Sequence, residues 1–178
     1  KILECDKKEI KKHLTKKVSV EILKPIGQKI SVEKALKIAE MKIEGTHLEV
    51  QIDCRYTSMA PYLSFTVDGV RSQNFVPLNG KHWYPVFLGF SNAVHHVRIA
   101  KETQPFGGDG QACVSLVNIR TNGKVLPMDD TKLKIEFIGD SITSGEGCKG
   151  PISFMEWVPM VFSSSDPYAK LTADALSA

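Results

Sequence analysis

The chain has 178 residues, enough to bury a core of ordinary size as one domain or slightly more. Its apolar fraction of 42% and charged fraction of 24% match ordinary soluble globular proteins, and it holds no repeat or low-complexity stretch. A net charge of +3 is too mild to imply nucleic acid as partner, and no apolar run approaches the roughly 18 residues of a membrane span.

The first thirty residues read as a lead-in segment. Lys7, Lys8, Lys11, Lys12, Lys16 and Lys17 alternate with Glu4, Asp6 and Glu9, a pattern that suits a solvated terminus better than a basic arm for an acidic partner. No signal peptide is visible, and the chain opens on lysine, as if a targeting segment were already gone. Val18 to Ile22 alternates like a strand until Pro25 and Gly27 break it. Ser31 to Glu40 fits a short helix with Ser31 as its cap, whereas Leu36 to Ile43 also fits a strand; the two readings stay open.

From His47 the pattern is β. Leu48, Val50 and Ile52 alternate with Glu49, Gln51 and Asp53, one face buried and one wet. Leu63, Phe65 and Val67 repeat this, and Asp68-Gly69 supplies a hairpin turn. Further strands are expected at Gln73 to Leu78, Tyr84 to Phe87, His95 to Lys101 and Ala112 to Ile119. Turns are expected at Asn79-Gly80, residues 107–110 and Asn122-Gly123. Short strands at this spacing predict an all-β sandwich or jelly roll over residues 1–130.

Pro127 to Asp130 reads as a connection. Residues 131–178 then read as the opening of an α/β unit. Leu133 to Ile138 is the first strand of a parallel sheet, and Ala169 to Leu176 reads as a helix preceded by Asp166, a suitable N-cap, and Pro167, a natural first helical residue. Leu171, Ala175 and Leu176 make its apolar face. One strand and one helix cannot bury their apolar faces alone, so residues beyond Leu133 are expected to order fully only against complementary polypeptide.

The chemistry concentrates at Ile135 to Thr143. An apolar run stops abruptly at Gly139-Asp140-Ser141, with Gly145 and Gly147 close behind. In open α/β sheets, reactive groups sit where strands end. A serine there has backbone N–H groups of the next turn aimed at the same space, which is half of an acyl-transfer site. Its plain alternative is a turn serine that caps the next element.

Gly139-Asp140-Ser141-Ile142 resembles the first block of the SGNH (GDSL-type) serine hydrolases. The run from Lys134 to Gly147 is more similar to carbohydrate esterase family 2, and Leu88 to Thr103 is similar to part of that family's N-terminal domain. The resemblance implies a jelly roll followed by the start of a flavodoxin-like, three-layer α/β SGNH domain. It implies Ser141 as nucleophile and oxyanion N–H donor, with Gly139 and Asp140 in support. The implied substrate is an acetylated polysaccharide such as xylan or glucomannan, with secretion or cell-surface display and no cofactor. Gly145 would leave room for the ester, and Trp157 with Phe154 would form a platform for a sugar ring or pack in a core.

Three features of the pattern are missing. The family supplies a later glycine and asparagine to the oxyanion hole, and an Asp-x-x-His general base. Three residues before His13, His47, His82, His95 and His96 stand Ile10, Glu44, Asn79, Asn92 and Ala93, so none fits. The base is therefore expected from a C-terminal remainder of the domain, in the same polypeptide or a nicked chain. Asp140 is no substitute, since adjacent residues in a tight turn point apart; it is expected to hold the loop instead.

The remaining features are weaker. Cys5, Cys54, Cys113 and Cys148 are too widely spaced for a metal site or a dense disulfide framework, and Cys148 suits space-filling. His95-His96 is no metal pair, because consecutive strand residues face opposite sides. Trp83 suits a buried sandwich tryptophan better than a glycan groove. The competing function is a non-catalytic carbohydrate-binding or interaction module bearing an inert serine stub. A third, a lipid or thioester hydrolase, is disfavoured by the polar loop Glu146 to Gly150.

Overall fold

The computed structural model describes residues 3–4, 38–104, 109, 111–128 and 133–177. The lysine-rich stretch, His13, Cys5, the Val18 to Ile22 strand and most of the turn at 107–110 lie outside those residues, as does most of the helix proposed at Ser31.

The strands are β1 (Leu3–Glu4), β2 (Ile38–Arg55), β3 (Leu63–Val67), β4 (Val70–Phe75), β5 (Gly80–Lys101), β6 (Cys113–Thr121) and β7 (Lys124–Leu126). They form one hydrogen-bonded sheet in the order β1-β6-β2-β5-β3-β4, with β7 also on β2, and every pairing is antiparallel. Of the two readings at Leu36 to Ile43, the strand holds from Ile38 onward. The expected strands near residues 84 and 95 are two parts of the single β5, and the one expected at Gln73 to Leu78 lies earlier, at Val70–Phe75.

The core explains why two strands run so long. β2 and β5 pair from Ile38↔Ala100 to Cys54↔Gly80, with register shifts at Gly45/His47 and Leu48/Glu49. Before the first shift β2 buries Ala39, Met41 and Ile43; beyond it β2 buries Leu48, Val50, Ile52 and Cys54. A one-residue slip exchanges the faces of a strand, and here it keeps both halves of β2 on one core, which Phe65, Phe87, Val97 and Ile119 complete. All seven strands join in one hydrogen-bonded network, in which β2 pairs with β5, β6 and β7 and β5 pairs with β2 and β3.

Several local expectations meet their reasons here. Asp68 and Gly69 take the turn between β3 and β4 at φ 51° and 81°, the left-handed pair that a tight hairpin needs. His95 is buried and His96 exposed. Trp83 is a correction: it stands opposite Gln51, on the outer face, half-buried under the Arg120 guanidinium 4.0 Å from its ring centroid. Its neighbour Tyr84, opposite Val50, packs on the core instead. Cys148 is exposed and fills no space.

Among the described residues beyond the sheet lie the 3₁₀ turn Pro159–Val161 and the helix α1 (Tyr168–Ala175). Two further corrections fall in this region. Leu133 to Ile138 is no strand, because a strand exists only through its ladder and no described neighbour offers one. Leu133 and Ile135 are exposed and Ile138 is 91% exposed. Asp166 does not cap α1; Pro167 occupies that position without a side-chain cap bond. Leu171 on α1 and Leu176 just past its end remain more than half exposed.

Candidate active site

Ser141 opens a tightly wound turn. The Ser144 N–H bonds the Asp140 carbonyl at 3.2 Å, the Gly145 N–H bonds Ile142 O at 3.1 Å, and the Glu146 N–H bonds Ser141 O at 2.9 Å. Asp140 Oδ1 accepts the Ile142 N–H at 3.0 Å, an Asx-type bond that fixes the start of the turn. Ser141 is half-buried, and among the described residues neither its hydroxyl nor its N–H has a partner. The hydroxyl and an unoccupied backbone donor are thus presented by one residue.

The glycines around Ser141 are there for close approach. A Cβ on Gly139 would meet Thr143 Oγ1 at 2.0 Å and Thr143 Cβ at 2.8 Å. Its φ is not positive, so space rather than a left-handed backbone explains the glycine. Thr143 Oγ1 in turn hydrogen-bonds the Tyr168 hydroxyl at 2.7 Å, which ties the turn to α1. Gly145 is buried, with φ 94°, and a Cβ there would sit 1.8 Å from Ser163 O. The Ser163 N–H bonds Gly145 O at 3.0 Å and the Lys149 N–H bonds Val161 O at 3.1 Å, so two backbones lie against each other at this point. The space that the missing Gly145 side chain frees is filled by protein.

Trp157 is 40% exposed and meets buried Phe162 edge-on, ring centroids 5.7 Å apart. Phe154 is similarly half-open. Beside the turn, an open cavity of about 250 Å³ is lined by Ile38, Ile135, Phe137 and Ala173, with Thr143 and Ser144 at its polar side.

Behind the turn lies a polar cluster that the sequence did not announce. Glu102, 1% exposed just past β5, accepts from the Ser163 hydroxyl at 2.9 Å, the Ser165 N–H at 3.1 Å and the Ser165 hydroxyl at 2.6 Å. It also accepts from the Ser64 hydroxyl of β3. Burial pushes its pKa up, but the hydroxyls of Ser165, Ser64 and Ser163 and the charge of Arg71 outweigh that and leave it below its ordinary value. Asp166 takes a two-pronged bond from Arg71 of β4, at 3.1 and 3.2 Å, and an ion pair from Lys149 at 3.3 Å. This is the work that draws it away from the helix start. Gln104 adds a link to the turn, donating to Glu146 Oε2 at 3.2 Å and accepting the Ser144 hydroxyl at 2.7 Å.

The described histidines all lie on sheet strands. His82 contacts Asn79 O, His47 lies 3.7 Å from Glu49, and His95 bonds Asp68 and Ser91 O. None of them is bonded to Ser141. No group of three metal-ligating side chains forms among the described residues, nor is any of their helices long and apolar enough to cross a membrane.

No protein-family model matches the chain, and no curated protein matches it in sequence. Solved structures do. An acetyl xylan esterase from the rumen bacterium Butyrivibrio proteoclasticus aligns over 79% of this chain and 38% of its own, with TM-score 0.74 and 28% identity. A family two carbohydrate esterase from Clostridium thermocellum, solved with cellohexaose, aligns over 79% of this chain and 42% of its own, with TM-score 0.68 and 26% identity. An active-site mutant of a family two carbohydrate esterase from the same organism covers 99% of this chain and 48% of its own, with TM-score 0.72 and 23% identity. The chain thus spans less than half the length of each of these proteins, and its structure resembles family-two carbohydrate esterases.

Proposed function

We infer that this chain is the N-terminal part of a family-two carbohydrate esterase that removes acetyl groups from an acetylated polysaccharide, xylan or glucomannan among the candidates, with Ser141 as nucleophile. The observation that carries this reading is the presentation of Ser141: its hydroxyl and its own N–H are both unengaged among the described residues, at the head of a turn pinned by Asp140. Similarity to esterases supports the reaction class.

In the proposed reaction, Ser141 Oγ bonds to the acetyl carbonyl carbon while its proton passes to a histidine. The Ser141 N–H donates to the resulting oxyanion. The histidine then returns the proton to the departing sugar oxygen as the carbon–oxygen bond breaks. Water hydrolyses the acetyl-enzyme and releases acetate. The histidine, a glycine donor and an asparagine donor are assigned to polypeptide beyond these residues, the rest of an SGNH-type α/β unit begun at residue 131. The open cavity lined by Ile135, Phe137 and Ala173 supports that assignment, since it gives such a unit an apolar seat. Trp157, with its ring half-exposed, is the proposed sugar platform. Gly145 serves the site through its contact with Ser163 rather than by opening space for the ester. No cofactor takes part, and export to the cell surface or medium suits a polysaccharide substrate.

A second reading is a glycan-binding module. It draws on the outer sheet face, where Trp83 and Arg120 stack beside the amide pair of Asn118 and Gln51, 2.7 Å apart. A fluorophosphonate probe separates the two, with Ser141→Ala as control. An adduct mapped to Ser141, lost in the variant, supports the esterase. Absence of an adduct from the intact protein, together with retained binding of cellohexaose, supports the module.

A further inference from the structure

We propose that Gln104, at the exit of β5, is a positioning residue for the nucleophile, and that the β-sheet thereby sets the reactivity of Ser141. The proposal rests on the reading of Ser141 as nucleophile. The two residues that Gln104 grips both converge on one atom. The Ser144 hydroxyl lies 2.7 Å from Gln104 Oε1 and 2.9 Å from Ser141 O, so its single proton is shared between those acceptors. Glu146, whose carboxylate receives the Gln104 amide at 3.2 Å, donates its own N–H to the same Ser141 carbonyl at 2.9 Å.

Among the described residues Ser141 itself is bonded only through its carbonyl, and the peptide that carries this carbonyl is also held by Asp140 Oδ1 on the Ile142 N–H. The Ser141 N–H belongs to the preceding peptide, whose carbonyl, Asp140 O, is held by the Ser144 N–H at 3.2 Å, so Ser144, which Gln104 grips, bears on both planes that direct Oγ and the N–H. A glutamine suits the task because it offers one acceptor and one donor from a single planar group. The acceptor takes a hydroxyl, and the donor meets a carboxylate. Neither glutamate nor alanine repeats this pairing. Because misplacement of a reacting group by about 1 Å costs roughly 10²-fold in rate, a clamp on the nucleophile's carbonyl governs chemistry without touching substrate.

The test uses the intact protein and three variants, Gln104→Ala, Gln104→Glu and the exchange Gln104→Glu with Glu146→Gln. The rate of fluorophosphonate labelling at Ser141 is read beside amide hydrogen exchange over residues 141–147. Gln104→Ala is expected to slow labelling roughly 10- to 100-fold and to speed exchange in that turn while the sheet amides keep their protection. Gln104→Glu sets two carboxylates face to face and is expected to be at least as slow. The exchange variant restores a donor at 146 and an acceptor at 104, and is expected to recover most of the rate, which a merely structural role does not predict. Labelling of Gln104→Ala at the unaltered rate, or failure of the exchange variant to recover, overturns the positioning role. Failure of the unaltered protein to label at all overturns the nucleophile reading itself, and the positioning role with it. The exchange data still report separately whether Gln104 holds the turn.

Discussion

Replacing Glu102 by glutamine should cost this protein more than any other single isosteric change near the site. The carboxylate is 1% exposed and receives three hydrogen bonds, from Ser64 and twice from Ser165, and shares the single Ser163 hydroxyl proton with Asp166 Oδ2. Hydrogen bonds to a charged group contribute about 1.5–3 kcal/mol each, neutral ones about 0.5–1.5. Glutamine keeps one acceptor oxygen and turns the other into a donor, so two hydroxyls must rotate away and the rest lose their charge assistance. The expected loss is about 3–5 kcal/mol, a large part of the roughly 5–15 kcal/mol that holds a domain together. Urea unfolding of the intact protein at pH 7 measures it directly. The pH dependence checks the cause. Glu102 lies below its ordinary pKa when folded. Its stabilisation is therefore complete above the unfolded value of about 4.3 and fades as pH falls through the lower folded one. The gap between wild type and variant should narrow as acid is added. A difference under about 0.5 kcal/mol at pH 7, within the range of ordinary surface substitutions, would refute the reasoning, as would a large gap that persists undiminished below the folded pKa.

Gly145→Ala forces a side chain into φ 94° and against Ser163 O, costing about 1–2 kcal/mol for the backbone and about 0.5–1.5 for each of the two backbone bonds beside it. Thermal unfolding should show a loss of a few kcal/mol, with faster amide exchange at Lys149 and Ser163. Asp68→Asn keeps the left-handed turn but removes the charge beside His95 Nδ1, now 2.7 Å away. Burial pulls the His95 pKa down, yet its bonds to Asp68 and Ser91 win and raise it. The pair's contribution is thus full below the unfolded histidine value of about 6.5 and lost as pH rises through the raised folded value. The variant should lose at most about 1 kcal/mol, since Asp68 is half-exposed and screened. Chemical unfolding should show that loss at pH 6 and less of it at pH 9. Ser141→Ala should leave stability within about 0.5 kcal/mol while abolishing the probe adduct, as mass spectrometry of the intact protein would show.

What could be read in the sequence was what neighbours in the chain decide. Leu48, Val50 and Ile52 alternate with polar residues because strand side chains alternate, and the structure buries that face. Asp68-Gly69 encodes its own turn, and His95 with His96 must face opposite ways. The errors came where distant residues decide. Trp83 has the composition of a core residue, but the β2–β5 register puts it opposite Gln51 and outside. Leu133 to Ile138 has the composition of a buried strand, but composition supplies no ladder partner. Asp166 and Pro167 have the chemistry of a helix start, yet Arg71, 95 positions away, claims the carboxylate.

The candidate site divides along the same line. Ser141, the proposed nucleophile, stood out because such a turn is a local device of small residues after an apolar run. Glu102 and Gln104 did not, because their partners at Ser163, Ser144 and Glu146 lie 61, 40 and 42 positions away. All these long-range contacts join the end of β5 to the segment that begins at residue 140. The sheet and the turn that bears Ser141 are therefore tied together by side-chain hydrogen bonds. The strand that ends at Lys101 runs on into the residues that hold the turn. A version of this protein stripped of its sheet would keep the Gly139-Asp140-Ser141 block and lose the groups that orient it.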